Sequence, residues 1–146
     1  MCASHWGMTP RQSVERECAR RGNAAVVSGC VALLEGRAAD PELLVALGGP
    51  PARWAVTGGR GGPAYWSRVW GARGLLWAWD DSAHEAALAA LTDDAWRVRE
   101  MAAKVALRHE LGDAIPTLAD LEARDPVARV RTAARRALAG LTASGA

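Results

Sequence analysis

The chain has 146 residues, half of them apolar, and a formal net charge of +2. That length suits one domain able to bury a real core, and so small a charge excludes the strongly basic footprint of an obvious nucleic-acid binder. No apolar run approaches the roughly 20 residues that span a bilayer, and the first residues lack a signal-peptide layout, so a cytoplasmic location is expected.

Ala, Leu and Val dominate the apolar content, Phe is absent, Tyr65 is the single tyrosine, and there are seven tryptophans. Cys2, Cys18 and Cys30 are odd in number and show no CxxC spacing, which supports neither a disulfide framework nor a zinc site. No metal and no cofactor is expected, and no catalytic signature is present.

The opening MCASHWG reads as a tail, with residues 1 to 8 disordered. Thr9, Pro10 and Gln12 combine an N-cap, a first-turn proline and a capping-box partner, predicting a helix from about 10 to 21 ended by Gly22. Asn23 is expected to cap a second helix, AAVVSGCVALLE, which is apolar on most sides and stops at Gly36. Asp40-Pro41 opens a third, through Leu47. Residues 48 to 63 are rich in Gly and Pro, with PARWAV long enough for one or two helical turns and TGGRGGP the expected mobile loop. This loop lacks the GKS or GKT of a phosphate loop, and no strand precedes it. Beyond it, helices are predicted at 64 to 79, 82 to 91 with Ser82 and Glu85 as capping box, 95 to 111, 114 to 123 capped by Asp113, and from Asp125-Pro126 to about 141. The short connections imply antiparallel packing.

Asp93, Val98, Arg99, Ala102 and Val105 align with Asp125, Val130, Arg131, Ala134 and Ala137, each pair 32 residues apart. In the segments DDAWRVREMAA and DPVARVRTAA, an Asp is followed five and six residues later by Val-Arg. This pattern resembles the HEAT-repeat family, in particular the short bacterial repeats of the phycobilisome-lyase type, over residues 82 to 141. The resemblance implies an all-α fold: a short α-solenoid of stacked antiparallel helix pairs at 64 to 141, with residues 9 to 47 as an N-terminal helical cap, 48 to 63 as connector and 142 to 146 as a tail. In such repeats the Arg after Val commonly pairs with the Asp at its own turn, so Arg99 with Asp93 and Arg131 with Asp125 are the expected ladder.

At about 100° per residue, Val69, Ala72, Leu76 and Trp79 form the core stripe of the 64 to 79 helix. Trp66, Trp70, Arg73 and Trp77 form a second stripe, rotated from the first. The repeat register carries that second face to Trp96, Arg99 and Glu110. Trp and Arg are enriched in binding hot spots, so Trp66, Trp70, Arg73, Trp77, Trp96, Arg99 and Glu110 are the candidate binding residues. The competing explanation is that Trp66, Trp70 and Trp77 fill core volume in a chain without Phe. The resulting expectation is an interaction module for a protein or peptide partner, not an enzyme. The alternatives are a small-molecule pocket or enzyme using Arg73, and DNA binding of the kind seen in HEAT-like glycosylases. His109, near a helix C-terminus, is accounted for by the helix dipole.

Overall fold

The computed structural model describes residues 8–56 and 65–144; among them the chain is all-helical, with nine α-helices packed against one another and no strand. They are α1 (Pro10–Arg21), α2 (Asn23–Leu34), α3 (Pro41–Gly48), α4 (Pro50–Val56), α5 (Tyr65–Gly74), α6 (His84–Ala90), α7 (Trp96–Arg108), α8 (Ile115–Arg124) and α9 (Ala128–Ser144). No helix among the described residues is long and apolar enough to cross a membrane. The expected tail at MCASHWG, the TGGRGGP loop and the last two residues lie outside the described residues.

The N-terminal punctuation works largely as its chemistry dictates. Thr9 and Gln12 close a reciprocal capping box on α1, and the Asp40 carboxylate accepts the Glu42 and Leu43 N–H groups at the start of α3. Three expected caps differ. Gly22, with φ at 90°, is the residue before α2, and Asn23 is already helical; its side-chain amide instead donates to the Trp79 carbonyl at 2.9 Å. Ser82 caps nothing, because Asp80 takes the Ser82 N–H and opens a 3-10 turn ahead of α6. A 3-10 turn likewise precedes α8, where Asp113 meets His84 at 3.1 Å rather than capping a helix.

The largest difference is at α5, which stops at Gly74 rather than Trp79. Leu75, Leu76 and Trp77 then donate three residues back, to Ala72, Arg73 and Gly74, so the chain tightens out of α-helical pitch. The glycines let α5 lie close to α2 and α3. A Cβ on Gly71 would stand 2.7 Å from the Cys30 carbonyl oxygen, and one on Gly74 would stand 2.6 Å from Cys30 Sγ and 2.8 Å from Leu47. Residues past Gly74 therefore leave the angular register assumed for a single long helix.

The core is continuous. α2 packs on α5, α5 on α7, α7 on α9 and α8 on α9, with α1 and α3 against α2 and α5. Val69, Val98 and Val130, one on each of α5, α7 and α9, are all buried. Burying each contributes roughly 1.5–3 kcal/mol by area.

A recurring ion pair links these layers. Arg68 on α5 grips Asp93 through Nε at 2.8 Å and Nη2 at 3.1 Å. Arg99 on α7 grips Asp125 through Nε at 2.8 Å and Nη2 at 3.2 Å. Each carboxylate also accepts the N–H two residues on, from Ala95 and Val127 respectively. The expected pairing of Arg99 with Asp93 and Arg131 with Asp125 is thus corrected. An arginine reaches its own turn only through backbone carbonyls, Arg99 to Asp93 and Asp94 and Arg131 to Asp125. The carboxylate it binds belongs to the following turn. The hydrogen bond to Asp93 raises the Arg68 pKa. Burial alone would raise the Asp125 carboxyl, but hydrogen bonds from Arg99 and the Val127 N–H, with the charges of Arg99 and Arg131, outweigh it and lower the pKa.

Candidate functional site

Of the seven residues expected on one binding face, the structure brings only Trp66 and Trp96 onto the same surface. Trp70 is 6% exposed. Its ring lies against Gly48, where a Cβ would come within 2.7 Å of it, so it is a core residue rather than a contact residue. Trp77 lies past the end of α5, half-buried against the core. Arg73 turns its guanidinium to the Leu47 carbonyl at 2.6 Å, closing the C-terminal end of α3. Burial lowers its pKa, but its ordinary value is so high that the charge stays. Arg99 is committed to Asp125 and two carbonyls. Glu110 falls beyond α7 with φ at 53°, exposed in the turn, so the register that placed it on the helix face does not hold.

A different set of side chains forms an aromatic and guanidinium array. Tyr65 and Trp66 open α5, with ring centroids 5.4 Å apart, and Trp66 stacks on the buried Trp70 at 6.4 Å. From the start of α7, Arg97 lies 5.2 Å from the Trp66 ring and 4.4 Å from the Trp96 ring. From the start of α9, Arg129 approaches the same Trp96 ring at 5.4 Å while pairing with Glu100 at 3.1 Å. Guanidinium groups over indoles gain roughly 0.5–2 kcal/mol each, more where water is excluded. The order Trp66, Arg97, Trp96, Arg129 therefore runs as one stack across the first turns of three helices.

Arg97 is the unusual member. Its Nε is enclosed without a hydrogen-bond partner, the one such side-chain atom found among the described residues. Its two terminal nitrogens make no bond to the described residues. Two rings thus lie close to a guanidinium whose terminal nitrogens have no partner among the described residues. Because the side chain is already ordered, an acceptor arriving there meets a smaller entropic cost than at a free surface arginine.

Next to the array a groove of about 670 Å³ runs between α7 and α9. Its floor is apolar, from Leu76, Leu107 and Ala133, and its walls carry Lys104, Arg108, Arg129 and Arg136 against the single acid Glu100. Arg108 donates to the Leu76 carbonyl at 2.7 Å; Lys104 and Arg136 are exposed and have no partner among the described residues. A second cleft of about 470 Å³ lies between α1, α3 and α4. There Glu17 and Glu42, the two acids lining it, already meet Arg20 and Arg21.

The remaining reactive groups serve packing. His109 stacks on Trp79 with centroids 4.3 Å apart and places Nε2 2.6 Å from the Leu75 carbonyl. Burial lowers its pKa, against the raising effect of that bond. The ring is therefore favoured neutral, and a charge–dipole role gives way to one of bracing the turn after α5. The buried Cys30 thiol is pushed up to about 12, mainly by desolvation. Among the described residues no group of three or more His, Cys, Asp or Glu is placed to hold a metal ion.

The spacing that reveals the array was visible in the sequence. Arg97 and Arg129 are 32 residues apart, as are Lys104 and Arg136. These are the residues before the two aligned valines and six positions after them. No family model matches the chain, and no curated protein and no solved structure matches it either.

Proposed function

We propose that the chain is a small interaction module that binds a protein or peptide partner through the face made by Trp66, Arg97, Trp96 and Arg129. Stacked helix pairs of the HEAT kind are the architecture this reading adopts for residues 64 to 141. The recurrent Arg-to-Asp pairing at helix-pair spacing supports that architecture, as does the succession α5, α7, α9. Free Cys18 and Cys30 suit a reducing cytoplasm.

The observation that carries the proposal is Arg97, which lies against two indoles and has no hydrogen-bond partner among the described residues. Trp and Arg supply large contact area at little ordering cost, which is why they dominate binding hot spots. Arg73, the polar group required for a small-molecule pocket, is instead spent on the Leu47 carbonyl.

Selection from a displayed library of random peptides tests the proposal. Peptides recovered on the native protein should lose at least about tenfold in affinity, roughly 1.4 kcal/mol, on both Arg97→Gln and Trp96→Ala, with the circular dichroism of each variant unchanged. Recovered peptides that bind both folded variants as tightly as the native chain would overturn the assignment of this face.

A further inference from the structure

The basic groove beside the array says what kind of partner fits. We propose that the α7/α9 groove binds an acidic peptide segment, its carboxylates meeting Lys104, Arg108 and Arg136 and, beside the groove, the Arg97 guanidinium. This inference rests on the interaction-module reading and adds the chemistry of the partner to it.

Charge complementarity is the first argument. Glu100, the one acid lining the groove, is neutralised by Arg129 at 3.1 Å. Lys104 and Arg136 have no partner among the described residues, and Arg108 spends only its Nε on the Leu76 carbonyl. This excess is local, since the whole chain carries only +2. Such a patch steers an acidic partner in and repels a basic one.

Geometry is the second argument. Arg97 and Lys104 stand two helical turns apart on α7, about 10 Å at 1.5 Å per residue. Carboxylates seven residues apart on a helix match that distance and share one face. An arginine guanidinium presents a fork suited to a planar carboxylate, and that of Arg97 already lies against two rings. The apolar floor, with Leu76 and Leu107, offers seats for aliphatic side chains between the acids. A nucleic-acid backbone has charge at every step and nothing to place on such a floor. It also needs a broader basic field than one groove on a chain of net charge +2.

The probe is a displayed library of random peptides about 16 residues long, enough for the anchors of a docked helix. Selection is run against the full chain and against the double variant Lys104→Glu/Arg136→Glu, whose replaced side chains are exposed and have no partner among the described residues. The recovered pool should be enriched in Asp and Glu over the input and depleted in Lys and Arg. Individual peptides should bind at least about tenfold more weakly to the charge-reversed variant, and more weakly as salt rises. Their capture should survive competition by a random-sequence DNA duplex.

Peptides that are recovered without acidic enrichment, or that bind the folded charge-reversed variant unchanged, would overturn the acidic-partner inference and leave the module reading standing. A duplex that displaces the peptides at comparable concentration would assign the groove to nucleic acid and overturn the inference. Recovery of no peptide above background would overturn both.

Discussion

Removing the Asp125 carboxylate by Asp125→Ala isolates the interaction that ties α7 to the turn before α9. The Asp125 and Arg99 side chains are 2% and 13% exposed, so water cannot freely replace what is lost. Three hydrogen bonds disappear, two from Arg99 and one from the Val127 N–H. Breaking a buried pair from one side typically costs about 3–5 kcal/mol. Arg99 keeps the Asp93 and Asp94 carbonyls, which places the expected loss near the lower end, about 3 kcal/mol. Asp93→Ala removes the same set of bonds from a more open pair, with side chains 13% and 28% exposed, and should cost roughly half as much. Urea unfolding followed by circular dichroism would measure both, with an unchanged m-value required for the comparison. A loss under about 1 kcal/mol for Asp125→Ala, or a larger loss for Asp93→Ala, would refute the reasoning.

The same carboxylate predicts a pH dependence. Its folded pKa is lowered, so its contribution is fully present above the unfolded carboxylate pKa of about 3.9 and disappears as pH falls through the folded value. The stability gap between the native chain and Asp125→Asn, measured by urea unfolding, should therefore hold near neutrality and shrink in acid; a gap that widens below pH 4 would have the wrong sign. Trp70→Ala should cost about 3–5 kcal/mol as a core deletion, and Trp96→Ala far less, measured by thermal unfolding. Gly71→Ala should destabilise, because the added methyl meets the Cys30 backbone carbonyl at 2.7 Å. Gly140→Ala meets only the tip of Leu107 and should be near neutral, or gain up to about 1 kcal/mol of helix propensity. In a timed thiol assay on native protein, Cys30 should react only on unfolding.

The all-helical fold was legible because its signals are local. Thr9 with Gln12, Asp40 before Pro41 and Asp125 before Pro126 are cap chemistries that act within three residues of themselves. What the sequence obscured depended on contacts between helices. The end of α5 is one such case: YWSRVWGARGLLWAW reads as one helix, and the close approach of Gly71 and Gly74 to Cys30 and Leu47 that accompanies the break comes from other segments. That break moved Trp77 out of register. Trp70 was hidden for a related reason, since α3, which brings Gly48 against it, follows from no periodicity within α5. Sequence distance favours Asp93 as the partner of Arg99, whereas the side chain points to Asp125 in the next layer. Arg97 and Arg129 repeat at the same 32-residue spacing, but the Val-Arg pattern marks the residue after each valine and not the one before it.

The most direct test of the binding face is a titration followed through the indole N–H resonances of isotopically labelled protein, using the tightest library-selected peptide. The signals of Trp66 and Trp96, assigned by single Trp→Phe replacements, should shift progressively to saturation along with the Arg97 side-chain resonance, while Trp70 stays in place. A saturating peptide that leaves Trp66, Trp96 and Arg97 unmoved would show that the face lies elsewhere and contradict the account.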